Sequence, residues 1–341
     1  MKKICLFLIV LCSLFVTGCF NSKNNVLKEI NKKYDNLKAY SLTGDLEITN
    51  NDDSYNYDVK VIYQKKDKYY VSLKNRSNNH EQIILRNDSK VYVITPSLNK
   101  SFKFQSDWPY NNSQCYLIDS ILNDINKDDK RSLVESENGY TYTTDVSYPN
   151  NRRLVKQIVT FDKNYNLKTV SIVDENDTIG MKMTFQTIDL KPSDISNDTF
   201  DINKIIDTNS NNTNSPNENK EIEEKPTATL DDIIYPLYLP TGTVLTNSEK
   251  INKDDGERII MTFEGEKPFL LVEETTSIED EFSIIPTFGE PDILIDTVGA
   301  LTESSITWSS NGIDYYIVSD VMSKQELLDI ARSVNTIPVM K

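Results

Sequence analysis

The chain has one histidine, four cysteines and ten glycines in 341 residues, and each shortage removes a class of chemistry. Any Ser-His-Asp or Cys-His arrangement would have to run through His80, which sits in Asn78-Asn79-His80-Glu81 and reads as a solvated turn at a strand edge. No pair of His or Cys occurs at zinc-ligand spacing, and the glycines form no phosphate-cradling motif. No catalytic residue, metal site or cofactor is therefore expected. The apolar run Ile4 to Val16 is also short. A membrane-spanning helix needs about 20 apolar residues, so this run is not one.

What is present at the N-terminus is a processing signal. Lys2 and Lys3 precede the apolar run, and Val16-Thr17-Gly18-Cys19 closes it with small residues and a cysteine. This pattern resembles the signal of bacterial lipoproteins. The resemblance implies a diacylglyceryl group on the Cys19 thiol and cleavage between Gly18 and Cys19. It makes residues 1–18 a signal peptide and 19–24 a tether. Two acyl chains hold a protein on a membrane where one binds only reversibly. The expected location is the outer, extracytoplasmic face of the cytoplasmic membrane.

Cys5 and Cys12 would leave with the signal and Cys19 would carry lipid, so Cys115 is the one thiol left and no internal disulfide is possible. Its apolar, helix-like surroundings place it in the core. Charge is uneven: residues 19–202 carry 25 Lys and Arg against 26 Asp and Glu, whereas 229–341 carry 7 against 21. The acidic C-terminal part argues against nucleic acid as a partner. Between the two parts, residues 206–229 are rich in Asn, Ser, Glu and Pro and read as a flexible linker.

Residues 25–205 read as a helix followed by about eleven strands and a second helix. Val26, Leu27, Ile30, Tyr34 and Leu37 recur at helical spacing, as do Leu117, Ile118, Ile121, Leu122 and Ile125, with Ser113 as the N-cap. Leu42, Gly44, Leu46 and Ile48 alternate on one strand face. Short turns such as Lys65 to Lys68, Asn87-Asp88-Ser89 and Asn138-Gly139 join strand to strand. That pattern predicts a curved antiparallel sheet, with a cavity beneath the helices and Trp108-Pro109-Tyr110 capping the core.

The successions Asp58 to Val71, Ile84 to Pro96, Lys156 to Asp162, Leu167 to Asp174 and Met181 to Phe185 resemble the LolA-type lipoprotein-carrier superfamily. The resemblance covers about Asn25 to Phe200. It implies an α+β fold, an open antiparallel half-barrel with a helical lid. Members bind acyl chains of lipoproteins or act as envelope sensors and partner-binding proteins. A lipid anchor departs from a soluble shuttle and points to the Gram-positive lipoproteins of sporulation and germination. In one of these the related domain binds a cell-wall amidase.

Residues 230–341 read as a smaller α+β domain. Tyr235 to Pro240 is extended, Arg258 to Phe263 and Pro268 to Glu273 flank a Glu264-Gly265-Glu266 turn, and Ser305 to Trp308 pairs with Asp314 to Val318 across Asn311-Gly312. Ser323-Lys324-Gln325-Glu326 is a capping box opening a helix. This region is similar to a small domain of unknown function found on envelope lipoproteins. Of the carboxylate pairs Asp52-Asp53, Asp128-Asp129, Asp254-Asp255 and Glu273-Glu274, most fall at expected turns. Asp174, Asn176, Asp177 and Gly180 resemble a calcium loop without its closing acid. The sequence thus supports a non-enzymatic, membrane-anchored accessory protein of the envelope with a protein partner, or alternatively a carrier with an acyl-chain ligand whose binding residues the sequence does not name.

Overall fold

The computed structural model describes residues 18–50, 53–213, 230, 233–254, 256–276, 282–294 and 296–334. The signal segment up to Thr17, residues 214–229 of the expected linker, and residues 52 and 255 of two carboxylate pairs lie outside them, as do all side chains before Asn25, that of Cys19 included.

Helix α1 spans Gly18–Tyr34, so its backbone includes the residues expected as a tether. It buries Val26, Leu27, Ile30 and Tyr34, the predicted stripe, and leaves Lys28 and Lys32 in solvent. Its end is tied down by the Tyr34 hydroxyl, which donates to the Tyr165 carbonyl at 3.1 Å and accepts from the Leu167 N–H at 2.9 Å.

Eleven strands follow: β1 Ala39–Asn50, β2 Asp53–Gln64, β3 Lys68–Asn75, β4 Glu81–Asn87, β5 Lys90–Thr95, β6 Lys100–Phe104, β7 Ser132–Ser136, β8 Gly139–Asp145, β9 Lys156–Asp162, β10 Leu167–Val173 and β11 Ile179–Asp189. They pair antiparallel in the order β6-β5-β4-β3-β2-β1-β11-β10-β9-β8-β7 and leave the sheet open. Gly44 sits at a bulge where β1 meets β11, and a Cβ there would lie 2.4 Å from the Thr184 carbonyl oxygen. The predicted alternation on β1 therefore includes a position that only glycine fills.

Helix α2, Ile118–Lys127, lies between β6 and β7 in the chain and buries Ile118, Ile121, Leu122 and Ile125 as expected. Its start differs from the expectation. Leu117 occupies the N-cap without a side-chain bond, while Ser113 accepts from the Ser147 N–H through its hydroxyl and donates its own N–H to the Ser147 carbonyl. Cys115 precedes the helix rather than lying on it, and it is buried all the same.

The space expected as a cavity beneath the helices is filled. Ile30, Tyr34, Ile121, Ile125, Tyr142, Phe161 and Val159 belong to one continuous core, with Tyr34 and Tyr142 tilted against Phe161 at ring separations of 6.5 and 6.4 Å. A second cluster lies on β4 and β5, where Ile83, Leu85, Tyr92 and Ile94 pack against Phe200 and Ile205. Both faces of β4 are thus covered, which accounts for its unbroken Ile83-Ile84-Leu85 run. Ile205 belongs to helix α3, Ile202–Thr213, so helical backbone enters the region read as linker.

The C-terminal sheet has seven antiparallel strands: β12 Thr243–Lys253, β13 Gly256–Gly265, β14 Phe269–Thr275, β16 Glu290–Ile293, β17 Val298–Leu301, β18 Ser305–Ser310 and β19 Ile313–Val318. They lie in the order β12-β13-β14-β19-β18-β17-β16. The β18–β19 turn has Asn311 at φ 50° and Gly312 at φ 81°, the positive pair that an Asn-Gly hairpin requires. The β13–β14 turn falls two residues later than expected, because Phe263 pairs with Phe269 and their rings stack at 4.2 Å. Helix α4, Lys324–Ser333, covers one face through Leu327, Leu328, Ile330 and Ala331, and it opens with both bonds of the predicted capping box.

One strand joins the two halves. β15, Ser283–Thr287, leaves the C-terminal sheet and pairs parallel with β6, adding a twelfth strand to the N-terminal sheet.

Candidate functional site: a cleft where the two sheets meet

The return from β15 into the C-terminal sheet brings residues 290–300 against the N-terminal sheet. Val298 and Ala300 are buried in the N-terminal core, and Ile293 packs against it. Gln82 on β4 holds this segment: its Oε1 accepts the Val298 N–H at 2.6 Å and the Thr297 hydroxyl at 3.0 Å. Lys100 on β6 reaches Asp314 on β19 at 3.5 Å. These contacts leave a gap beside them, a cavity of about 500 Å³ open to solvent on one side.

Each wall of this cleft has a local reason for its shape. Ile48 at the end of β1 and Ile179 and Met181 at the start of β11 supply an apolar floor, completed by Leu154. The turn before β11 is folded by Asp174, whose Oδ1 accepts the N–H groups of Asn176 and Thr178, each at 2.8 Å. The backbone bond from Thr178 in particular holds the Asp174 carboxyl below the ordinary carboxylate range. One rim is polar, with Asn112 and Gln114 before α2 and Asn150, Asn151 and Arg153 after Tyr148. The C-terminal part contributes Tyr238, Asp292, Asp329 and Arg332 to the lining.

An ionic network joins the two parts within the lining. Arg332 on α4 meets Asp292 on β16 at 3.4 Å, and the Asn150 amide donates to the other Asp292 oxygen at 2.9 Å. Burial still raises the Asp292 carboxyl above its usual range, outweighing the Arg332 charge and the Asn150 bond. The Arg152 N–H donates to Gln325 Oε1 at 3.1 Å, adding a second link from this loop to α4. Asn150 and Gln325 thus tie the polar rim to the C-terminal domain, whereas nothing among the described residues engages the Arg153 guanidinium or the Asn151 side-chain amide.

The structure distributes the residues singled out from sequence away from this cleft, with two exceptions. Cys115 lines it, and burial pushes the thiol up to about 12. From the run Asp174 to Gly180, Asp174, Thr178, Ile179 and Gly180 also line it, with the Asp174 carboxylate engaged in the turn. His80 departs from the solvated turn expected: it is half-buried, its Nε2 has no partner, and burial lowers its basicity. Trp108 and Pro109 are buried and cap the core, while Tyr110 is exposed beneath the Arg86 guanidinium, 5.2 Å from its ring. Glu273 and Glu274 lie within β14 rather than at a turn. Glu273 is fully buried, and its carboxylate accepts the Ile234 N–H at 3.1 Å. Glu274 pairs with Arg258 at 2.6 Å and with Lys253. Among the described residues, no group of three or more His, Cys, Asp or Glu is placed to hold a metal ion, and no helix is long and apolar enough to cross a membrane.

Most of the other cleft residues carried no signal in the sequence. Tyr148-Pro149-Asn150-Asn151-Arg152-Arg153 has the composition of any surface turn. Tyr238, Asp292 and Arg332 lie far from it along the chain, and only the fold brings them together.

Architecture and cleft define a class: a two-sheet, mainly β protein with an open antiparallel half-barrel, helices packed on it and a cavity at the junction. No family model matches the chain. Sporulation protein YdcC of Bacillus subtilis (strain 168) is 32% identical over 331 residues, covering 95% of this chain and 94% of that protein. The chain therefore belongs to the family of sporulation protein YdcC. Solved structures give much weaker likeness. A chain in the complex of the CwlD amidase from Clostridioides difficile with the GerS lipoprotein matches at 16% identity and TM-score 0.28, over 51% of this chain and 95% of that one. The LolA superfamily protein NE2245 from Nitrosomonas europaea matches at 9% identity and TM-score 0.31, over 53% and 97%. Likeness at that level carries no functional weight.

Proposed function

We propose that this protein is a lipid-anchored accessory protein of the cell envelope, held at the outer face of the cytoplasmic membrane through a diacylglyceryl group on Cys19 and working by binding rather than by catalysis. The observation that carries the binding part is the junction cleft, whose walls come from both sheets and whose rims hold unengaged donors and an exposed aromatic ring. The N-terminal residues Lys2 to Cys19 support the anchoring, and the relationship to a sporulation protein supports a role in envelope assembly. A protein partner seated at this junction would bridge both domains at once.

The test has two parts. Replacing Cys19→Ser abolishes acylation, so the protein no longer partitions into detergent at mature size; a variant that still does so overturns the anchoring. Native mass spectrometry of the protein extracted in mild detergent then reports what accompanies it. A stoichiometric protein is the expected result, and an acyl lipid with no protein overturns it in favour of the carrier reading. That second reading draws on the apolar floor of Ile48, Leu154, Ile179 and Met181. With the space beneath the helices filled, a carried acyl chain would have to lie in the cleft.

A further inference from the structure

The geometry points to a short N-acetylated glycan as a ligand of the junction cleft. This rests on the cleft being the binding site of the protein and adds the chemistry of what enters it.

Three features select this class. The first is the set of planar, unengaged hydrogen-bonding groups on one rim. The Arg153 guanidinium and the Asn151 amide have no partner among the described residues, and the Asn112 amide nitrogen donates to none. Amides and guanidinium groups offer paired donors, or a donor beside an acceptor, at the spacing of vicinal hydroxyls. The second is Tyr238, 45% exposed, in the same lining. An aromatic face in that position accepts the apolar C–H face of a pyranose ring, with its hydroxyls left free to reach across. The third is the apolar surface that Ile179, Met181 and Leu154 add to the same lining as those polar groups. An acetamido group matches that combination, because its methyl seeks the floor and its amide the rim.

Size and charge exclude the competing classes. About 500 Å³ falls inside the range of roughly 300–1,000 Å³ typical of small-molecule sites. The charges lining the cleft nearly balance, since Arg332 is paired with Asp292 and Asp174 is held by its own turn. A strongly anionic ligand such as a nucleotide or a phospholipid head group would find only Arg153 to meet it. A bare acyl chain would leave the rim donors and the Asp329 carboxylate to desolvate without replacement, a cost of about 1–3 kcal/mol for each group.

Saturation-transfer NMR on the detergent-solubilised full chain tests this with tri-N-acetylchitotriose as probe and cellotriose, which lacks the acetamido groups, as control. Transfer from chitotriose protons is expected, strongest at the acetamido methyls, with cellotriose much weaker. Tyr238→Ala and Arg153→Ala, both at exposed side chains, weaken chitotriose binding by about tenfold each while the thermal midpoint is unchanged. Absence of transfer, equal transfer from both sugars, or affinity untouched by Tyr238→Ala overturns the inference. A photo-crosslinker at position 151 separates the two readings. Capture of a protein there without chitotriose binding overturns the glycan alone, and the accessory-protein reading stands.

Discussion

Gln82 Oε1 accepts the backbone N–H of Val298 at 2.6 Å, joining residues 216 positions apart through a bond buried between the two sheets. The same oxygen takes the Thr297 hydroxyl, and the Gln82 amide nitrogen lies 3.5 Å from the Val298 carbonyl. A single side chain thereby imitates the pairing of a neighbouring strand. It makes the junction a specific contact rather than an incidental one, and the cleft inherits its shape from that contact.

Gln82→Ala leaves the Val298 N–H and the Thr297 hydroxyl buried and unsatisfied. The expected cost is about 2–4 kcal/mol, the range for breaking a buried hydrogen-bonded group. Because the bond ties the β17 segment of the C-terminal sheet to the N-terminal sheet, calorimetry should show the single unfolding transition broadening or splitting. An unchanged, single sharp transition would show that the junction is held elsewhere.

Glu273 gives the protein a pH-dependent stability of known sign. Burial pushes its carboxyl from 4.5 up to about 7, so the folded state favours the protonated form. Its contribution is complete below pH 4.5, where folded and unfolded chains are both protonated, and is lost as the pH rises through about 7. Glu273→Gln keeps an acceptor for the Ile234 N–H and carries no charge. It should raise stability at pH 8 by on the order of 3 kcal/mol and flatten this part of the profile in urea titrations repeated across pH.

Cys115 should be inert in the native protein. Its burial and its raised thiol, at about 12, keep the thiolate population low at neutral pH. A thiol reagent should label it only after denaturant is added. Fast labelling under native conditions would mean that the cleft wall opens.

Ser323 caps α4, accepting the Glu326 N–H while Glu326 accepts from the Ser323 N–H at 2.9 Å. Ser323→Ala should cost about 1 kcal/mol, and Ser323→Gly only a few tenths, measured by thermal denaturation. Equal losses for the two would indicate that side-chain capping is not what starts this helix.

Much of the fold was legible because it depends on neighbours in the chain. The α1 stripe from Val26 to Tyr34, the β2–β3 hairpin, the Asn311-Gly312 turn and the Ser323 capping box are local patterns with periods of two to four residues. Their boundaries moved where a cross-strand partner decided them. Phe263 stacks on Phe269, and that delayed the β13–β14 turn. Two adjacent acids at Glu273-Glu274 suggest solvent, yet Ile234, thirty-nine residues away, supplies the N–H that makes burial of Glu273 tolerable.

Composition and local pattern determined that this chain is mainly β and that its halves differ in charge, since each follows from residue type or short-range spacing, and the proposed lipoprotein signal rests on the same kind of local pattern. The tertiary structure alone decided that β15 returns to pair with β6, that Gln82 meets Val298, and that Arg153, Tyr238 and Arg332 face one gap. Those outcomes depend on burial and hydrogen bonding between segments up to 216 residues apart, and no periodicity within one segment records them.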